Sequence, residues 1–351
     1  MVLQTPHSPE HVESIIPIAD ENLTRKDYAS DVDTRWCPGC GDYSILAQMQ
    51  RGLSNLNIAP EKMVFVSGIG CSSRFPYYMN TYGMHSIHGR APTIASGLKL
   101  SRPDLMVFVI TGDGDALSIG GNHLLHVLRR NVDVKIFLFN NRIYGLTKGQ
   151  YSPTSELGKV TKSSPIGTTE KPLNPLSVAL ASEASFVART FDTDPQHLTA
   201  TIETAARHHG AAFVEILQNC NIFNDRAFAD YTDREVRDER LLYLEHGKPM
   251  LFGEDHNKGL AVSATGLRVV DAHGPDAGLI LSHDATRPAP DVHQLLARCA
   301  YPEMPVPMGV IRQVTTPTYG DYLDSQIEVA KFKNHQDVAQ LLRGRSTWQV
   351  E

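Results

Sequence analysis

Short continuous apolar runs alternate along this chain with stretches whose apolar residues recur at helical spacing. Met63–Ser67, Leu105–Ile110, Val134–Phe139, Phe186–Arg189 and Ala212–Leu217 read as strands with no solvent face. Tyr43, Ile45, Leu46, Met49, Leu53 and Leu56 trace one helical stripe, and further helices are predicted over Ala91–Leu100, Leu117–Arg130 and Leu176–Ala184. Pro103 ends the second of these four helices, because proline lacks the donor that would continue it. Asp194 suits an N-cap, Pro195 the first helical position and Gly210 the stop, so another helix begins there. Buried strands joined through helices predict an α/β chain with a mostly parallel sheet and helices on both faces. After Asn224 the pattern changes to a charged helix over Thr232–Glu245, a Gly- and His-rich stretch to His283, a short helix near Asp291–Cys299 and a polar tail. The expected division is an N-terminal arm at 1–36, a binding domain at 37–225 and a C-terminal extension at 226–351 that makes subunit contacts.

Composition narrows the class. The 351 residues, with 41% hydrophobic and 21% charged, suit a globular chain with a large core. A net charge of −6 offers no footprint for nucleic acid or an anionic membrane. No apolar run approaches the ~18 residues that a spanning helix needs. The polar, proline-containing start, Met1 to Asp20, does not read as a signal peptide. The cytoplasm is therefore the expected location, where clustered cysteines are metal ligands before they are disulfides.

Four motifs fall directly after predicted strands: Gly68-Ile69-Gly70-Cys71, Gly112-Asp113-Gly114-Asp115, Asn140-Asn141 and Cys220. Ligands of parallel sheets bind at the carboxyl ends of strands, so these motifs converge on one crevice. Diphosphate binding needs glycines that let backbone N–H groups approach, and a hard cation to neutralise charge. Asp113 offers a carboxylate, Asn141 an amide oxygen and Ile143 a backbone carbonyl, a donor set suited to magnesium. Taken alone, Gly-Asp-Gly is also an ordinary strand-to-helix turn; Asn140-Asn141 one βα unit later argues for the site.

Cys37, Cys40, Cys71 and Cys220 can hold zinc or an iron–sulfur cluster, and four thiolates alone do not choose between them. Two are close in sequence and two lie on distant strand ends, unlike the paired spacing of a zinc ribbon. Cys299 has no partner and reads as structural. His123 and His126 share a helix face without a third ligand and read as an ordinary face.

Trp36-Cys37-Pro38-Gly39-Cys40-Gly41, Gly70-Cys71-Ser72-Ser73, His88-Gly89-Arg90, Gly112-Asp113-Gly114-Asp115, Asn140-Asn141-Arg142-Ile143-Tyr144-Gly145-Leu146-Thr147 and Gln150-Tyr151-Ser152-Pro153-Thr154 together resemble the β subunit of two-subunit 2-oxoacid:ferredoxin oxidoreductases. The likeness is strongest to 2-oxoglutarate:ferredoxin oxidoreductase and runs from about residue 30 to 225. It implies the thiamine-diphosphate-binding fold. It further implies that Cys37, Cys40, Cys71 and Cys220 ligate one [4Fe–4S] cluster and that Asp113, Asn141 and the Ile143 carbonyl hold magnesium. Ile69, Gly70, Ser72, His88, Gly114, Asp115, Gly145 and Leu146 would line thiamine diphosphate. The implied reaction is oxidative decarboxylation of a 2-oxoacid, with coenzyme A as co-substrate and ferredoxin as electron acceptor, a low-potential couple that could also run backwards as a reductive carboxylation. In that family an α subunit supplies the glutamate that activates thiamine, so this chain alone is expected to be inactive and to work as an αβ pair or its dimer.

Arg74, three residues after Cys71, is the candidate contact for a substrate carboxylate, with Lys148 a weaker second. A structural ion pair or a subunit contact is the competing reading of Arg74. The Tyr151–Pro175 loop reads as a gate or a subunit contact. Two other functions stay open on the sequence: a non-redox thiamine-dependent decarboxylase or carboligase with structural zinc, and an electron-transfer subunit without thiamine.

Overall fold

Strands with apolar residues on both faces must be covered on both, and here they are. The computed structural model describes residues 17–264, 266–333, 338–344, 346–348 and 350; residues 1–16, the start of the expected arm and most of the stretch read as lacking a signal peptide, lie outside them. The strands are β1 (Met63–Ser67), β2 (Tyr82–His85), β3 (Met106–Gly112), β4 (Lys135–Asn140), β5 (Phe186–Phe191), β6 (Ala212–Leu217), β7 (Leu241–Leu244), β8 (Leu251–Phe252), β9 (Lys258–Ser263), β10 (Gly266–Asp271) and β11 (Val306–Gln313). Eight form one sheet in the order β2-β1-β3-β4-β6-β5-β11-β7. The first six are parallel throughout. β11 runs antiparallel to β5, and β7 pairs parallel to β11. β7 and β11, from the stretch expected to be an extension, thus lengthen the main sheet, while β8, β9 and β10 form a small antiparallel sheet of their own.

Each face of the large sheet carries its own core. One is aliphatic, built on Val66, Val109, Ile136, Leu138 and Val187 under helices Ala91–Ser101, Gly121–Arg129 and Pro175–Ala181. The other is aromatic: Phe65 lies in register with Phe108, their rings stack at 4.7 Å, and Phe137 follows at 6.2 Å. Helices Asp42–Asn55 and Pro195–Arg207 cover that face through Ile45, Met49, Leu198 and Ile202. The Asp194 carboxylate accepts the His197 N–H as the cap expected of it.

At the amino end of β4, the buried Lys135 ammonium donates to Asp133 at 2.6 Å and to the Gly210 carbonyl at 3.2 Å. His208 sits beside this charge, its Nε2 2.8 Å from Ser185 Oγ. His209 Nε2 reaches Asp321 at 3.3 Å and so ties in the helix Tyr319–Lys333.

Three sequence expectations change. The helix predicted over Leu117–Arg130 is two, Asp113–Leu117 and Gly121–Arg129, separated by Ser118, Ile119 and Gly120. The charged helix over Thr232–Glu245 is two short turns, Ala229–Thr232 and Arg237–Arg240, followed by β7. Leu241, Leu242 and Leu244 are buried in sheet pairing with β11, and tertiary burial overrides their helical preference. The polar tail contains β11 and a 15-residue helix.

Candidate active site

The carboxyl ends of β1, β3, β4 and β6 surround one groove, a cavity of about 90 Å³ lined by Ile69, Gly70, Cys71, Ser72, His88, residues 112–115, Asn141 and residues 143–147. Every expected thiamine-lining residue is among them. The loops are tied by a single carboxylate. Asp115 Oδ1 accepts the N–H groups of Ile69 at 3.0 Å and Gly89 at 2.7 Å, and lies 2.5 Å from His88 Nδ1. Its Oδ2 takes the Thr111 hydroxyl at 2.6 Å. Asp115 and His88 thereby organise the groove as well as lining it.

Asp113 opens a helix at the end of β3 and is 2% exposed. Burial pushes its carboxyl up, while hydroxyl donation from Ser152 at 2.5 Å and Thr154 at 2.6 Å, both to Oδ2, acts the other way. It has no cationic side chain paired with it among the described residues. Backbone N–H groups of Gly114 and Asp113 also favour its charge, and a buried carboxylate that lines the groove without a counter-charge fits a divalent cation. One strand away, Asn141 Oδ1 accepts the Ile143 N–H at 3.1 Å and its Nδ2 donates to Gln218 at 2.8 Å. Arg142 between them holds a left-handed φ of 57°, which turns the chain sharply at this corner.

Two glycines shape the groove. Gly70 has φ of 127° and open space where a side chain would begin, so the backbone itself faces whatever enters. At Gly114 a Cβ would stand 2.2 Å from the Tyr144 ring, whose hydroxyl donates to the Gly114 carbonyl at 2.9 Å.

All five cysteines are free thiols. Cys71 and Cys220 approach Gly145 from two strand ends: a Cβ there would lie 3.6 and 3.5 Å from their sulfurs. Burial pushes the Cys71 thiol up to about 12, helped by Asp42, Cys220 and Cys37, and it pushes Cys40 up as well. Cys40 Sγ accepts from Gln218 at 3.2 Å, and the Trp36 indole N–H anchors the Cys71 carbonyl at 2.7 Å. Among the described residues no three His, Cys, Asp or Glu side chains are placed to hold a single metal ion. The donors expected for magnesium, one carboxylate with an amide and a carbonyl, are a different type of set.

Other candidates fall outside the groove. Arg74 is half-buried beside Cys71, whose thiol its charge favours as the anion, and it has no ion-pair partner among the described residues. Lys148 is exposed. Cys299 is buried on its own, and His123 and His126 gain no third ligand. The sequence reading gave no role to Ser152 and Thr154. Their burial in Gln150-Tyr151-Ser152-Pro153-Thr154, inside an otherwise polar loop, is the signal that the structure adds.

Residues 68–216 match the family described as thiamine pyrophosphate enzyme, C-terminal TPP binding domain. The chain is 51% identical over 340 residues to 2-oxoglutarate oxidoreductase subunit KorB of Mycobacterium tuberculosis, an alignment covering 96% of this chain and 91% of that one. It is 41% identical over 191 residues to 2-oxoglutarate synthase subunit KorB of Methanocaldococcus jannaschii, covering 54% of this chain and 71% of the relative. A solved 2-oxoglutarate:ferredoxin oxidoreductase from Magnetococcus marinus, with 2-oxoglutarate, coenzyme A and succinyl-CoA bound, superposes with a TM-score of 0.74 at 36% identity, over 92% of this chain and 96% of that one. Thiamine-diphosphate signature, strand-end groove and relatives of this length agree: the chain belongs to the family of 2-oxoacid:ferredoxin oxidoreductase β subunits.

Proposed function

We propose that this chain is the thiamine-binding half of an αβ enzyme that oxidises 2-oxoglutarate with coenzyme A and passes the electrons to ferredoxin. The observation that carries the reading is the meeting of the groove and two of the four thiols at Gly145, which lines the groove and whose Cβ position lies within 3.6 Å of the Cys71 and Cys220 sulfurs. Asp113, Asn141 and the Ile143 carbonyl would hold magnesium, and Cys37, Cys40, Cys71 and Cys220 a [4Fe–4S] cluster. When bound, thiamine diphosphate supplies the carbon nucleophile and electron sink for decarboxylation, and the cluster an acceptor a short distance away.

The chain's own residues do the rest. Asp115 ties the loops after β1 and β2 to the end of β3, and Tyr144 packs over Gly114. Arg74 is assigned to the distal carboxylate of a dicarboxylic substrate, through its free guanidinium. The groove in this chain, about 90 Å³, is well below the roughly 300–1,000 Å³ of a complete ligand pocket. That supports an α subunit closing over it.

The test is an anaerobic preparation of the chain with its α partner, assayed for iron, sulfide, zinc and thiamine diphosphate. The expectation is about four irons and four sulfides with one thiamine per αβ pair. Cys220→Ser would lose the iron and Cys299→Ser would keep it. Stoichiometric zinc from iron-replete material would instead favour a non-redox decarboxylase or carboligase.

A further inference from the structure

Side chains alternate sides along the end of β4 and beyond it: Asn141 and Ile143 face the thiamine groove, while Asn140 and Arg142 line a second cavity of about 260 Å³. The two cavities share no lining residue. Arg189 on β5 is the built feature of the second. Its side chain is 9% exposed, and Nε donates to Glu215 Oε2 at 2.7 Å. Neither terminal nitrogen has a hydrogen-bond partner among the described residues. Neither is sealed from solvent, so both stay open to a group entering the cavity. Glu215 cannot turn to serve them, because its Oε1 is held by Asn140 Nδ2 at 2.7 Å. Arg142 adds a second guanidinium, stacked 4.4 Å over the Phe228 ring. Arg142 is itself paired with Glu156 at 2.7 Å and donates to the Ala227 carbonyl at 3.2 Å, so the terminal nitrogens of Arg189 are the donors left to the cavity. Tyr231 and Tyr301 add two hydroxyls, and Leu173 and Val306 add apolar wall.

We propose that this cavity binds a small molecule through an oxyanion, a carboxylate or a phosphate group gripped by the terminal nitrogens of Arg189. A planar fork meeting two oxygens is the geometry that satisfies both orphaned donors at once. The ligand's remaining atoms lie against Leu173, Val306 and the tyrosine rings. The inference does not rest on the magnesium or cluster assignments, because no residue of either set lines the cavity.

Calorimetric titration of the assembled αβ enzyme, loaded with thiamine diphosphate, tests it with two probes: inorganic phosphate and succinate. At least one should bind saturably, once per copy of this chain. Arg189→Lys keeps the ion pair to Glu215 but loses the fork, and Ala300→Phe fills the cavity from its exposed rim. Each should weaken binding by about tenfold or more, while Arg74→Met leaves it unchanged. A preference for phosphate would assign a phosphorylated ligand, and one for succinate a carboxylic acid. Absence of saturable binding of either probe, or binding indifferent to both cavity substitutions, would overturn the proposal.

Discussion

The Ser152 hydroxyl donates to Asp113 Oδ2 across 2.5 Å, although 39 positions separate the two residues. The contact turns a loop otherwise rich in Ser, Thr, Pro and Gly into part of the site. With Thr154 at 2.6 Å, it saturates Oδ2 of a carboxylate that also takes backbone N–H groups of Gly114 and Asp113. Such donors favour the ionised carboxylate against the burial that opposes it.

Removing both hydroxyls therefore weakens the site without touching a ligand atom. The double variant Ser152→Ala/Thr154→Val should raise the dissociation constant for thiamine diphosphate with magnesium by about tenfold or more, since hydrogen bonds to charged groups contribute about 1.5–3 kcal/mol each. Fluorescence quenching on cofactor addition measures it. Unchanged affinity would show the contacts to be loop packing only.

Gly114 and Tyr144 fit as a pair. Gly114→Ala should push the ring aside and cut cofactor affinity, and adding Tyr144→Ala should recover part of the loss, because it removes the atoms 2.2 Å from the new Cβ. If the double variant binds no better than Gly114→Ala alone, steric displacement of Tyr144 is not the cause.

Arg74→Met should raise KM for 2-oxoglutarate by about tenfold or more, with less effect on pyruvate, which lacks the second carboxylate. Steady-state kinetics with both substrates decides this. Equal effects would return Arg74 to a structural role.

His208 predicts a stability change. Burial, and after it the Lys135 ammonium, holds its imidazole down to about 3 from an ordinary 6.5. Between those values the unfolded chain takes up a proton that the folded chain refuses. Stability is fully present above pH 6.5 and falls as pH drops toward 3, by up to about 1.4 kcal/mol per pH unit. His208→Asn removes this contribution, so its melting temperature should fall less than that of the unsubstituted enzyme between pH 6.5 and 5. Equal falls would place the acid sensitivity elsewhere.

Elements whose burial is complete were legible in advance. β1, β3, β4, β5 and β6 read as apolar runs because both faces of each are covered, and a strand with no wet side needs no alternation. β2, exposed along its length in this chain, carried no such pattern. Neither did β7, where Leu241-Leu242-Tyr243-Leu244 follows a charged stretch that favours helix in isolation.

The groove divides in the same way. Glycine, acid and cysteine positions after strand ends are local features, because a turn that must approach a phosphate or expose a thiol restricts the residue types it can use. Those types, in that order, determined the family, the cofactor class and the candidate ligands from sequence alone. Contacts between remote segments have no local signature. Only the tertiary structure decided that Ser152 and Thr154 serve Asp113, that Asp115 joins the loops after β1 and β2 to β3, and that Arg189 is left with unpaired donors in a second cavity. Each depends on which strands become neighbours, and that is set by burial summed over the whole sheet rather than by any one stretch of chain.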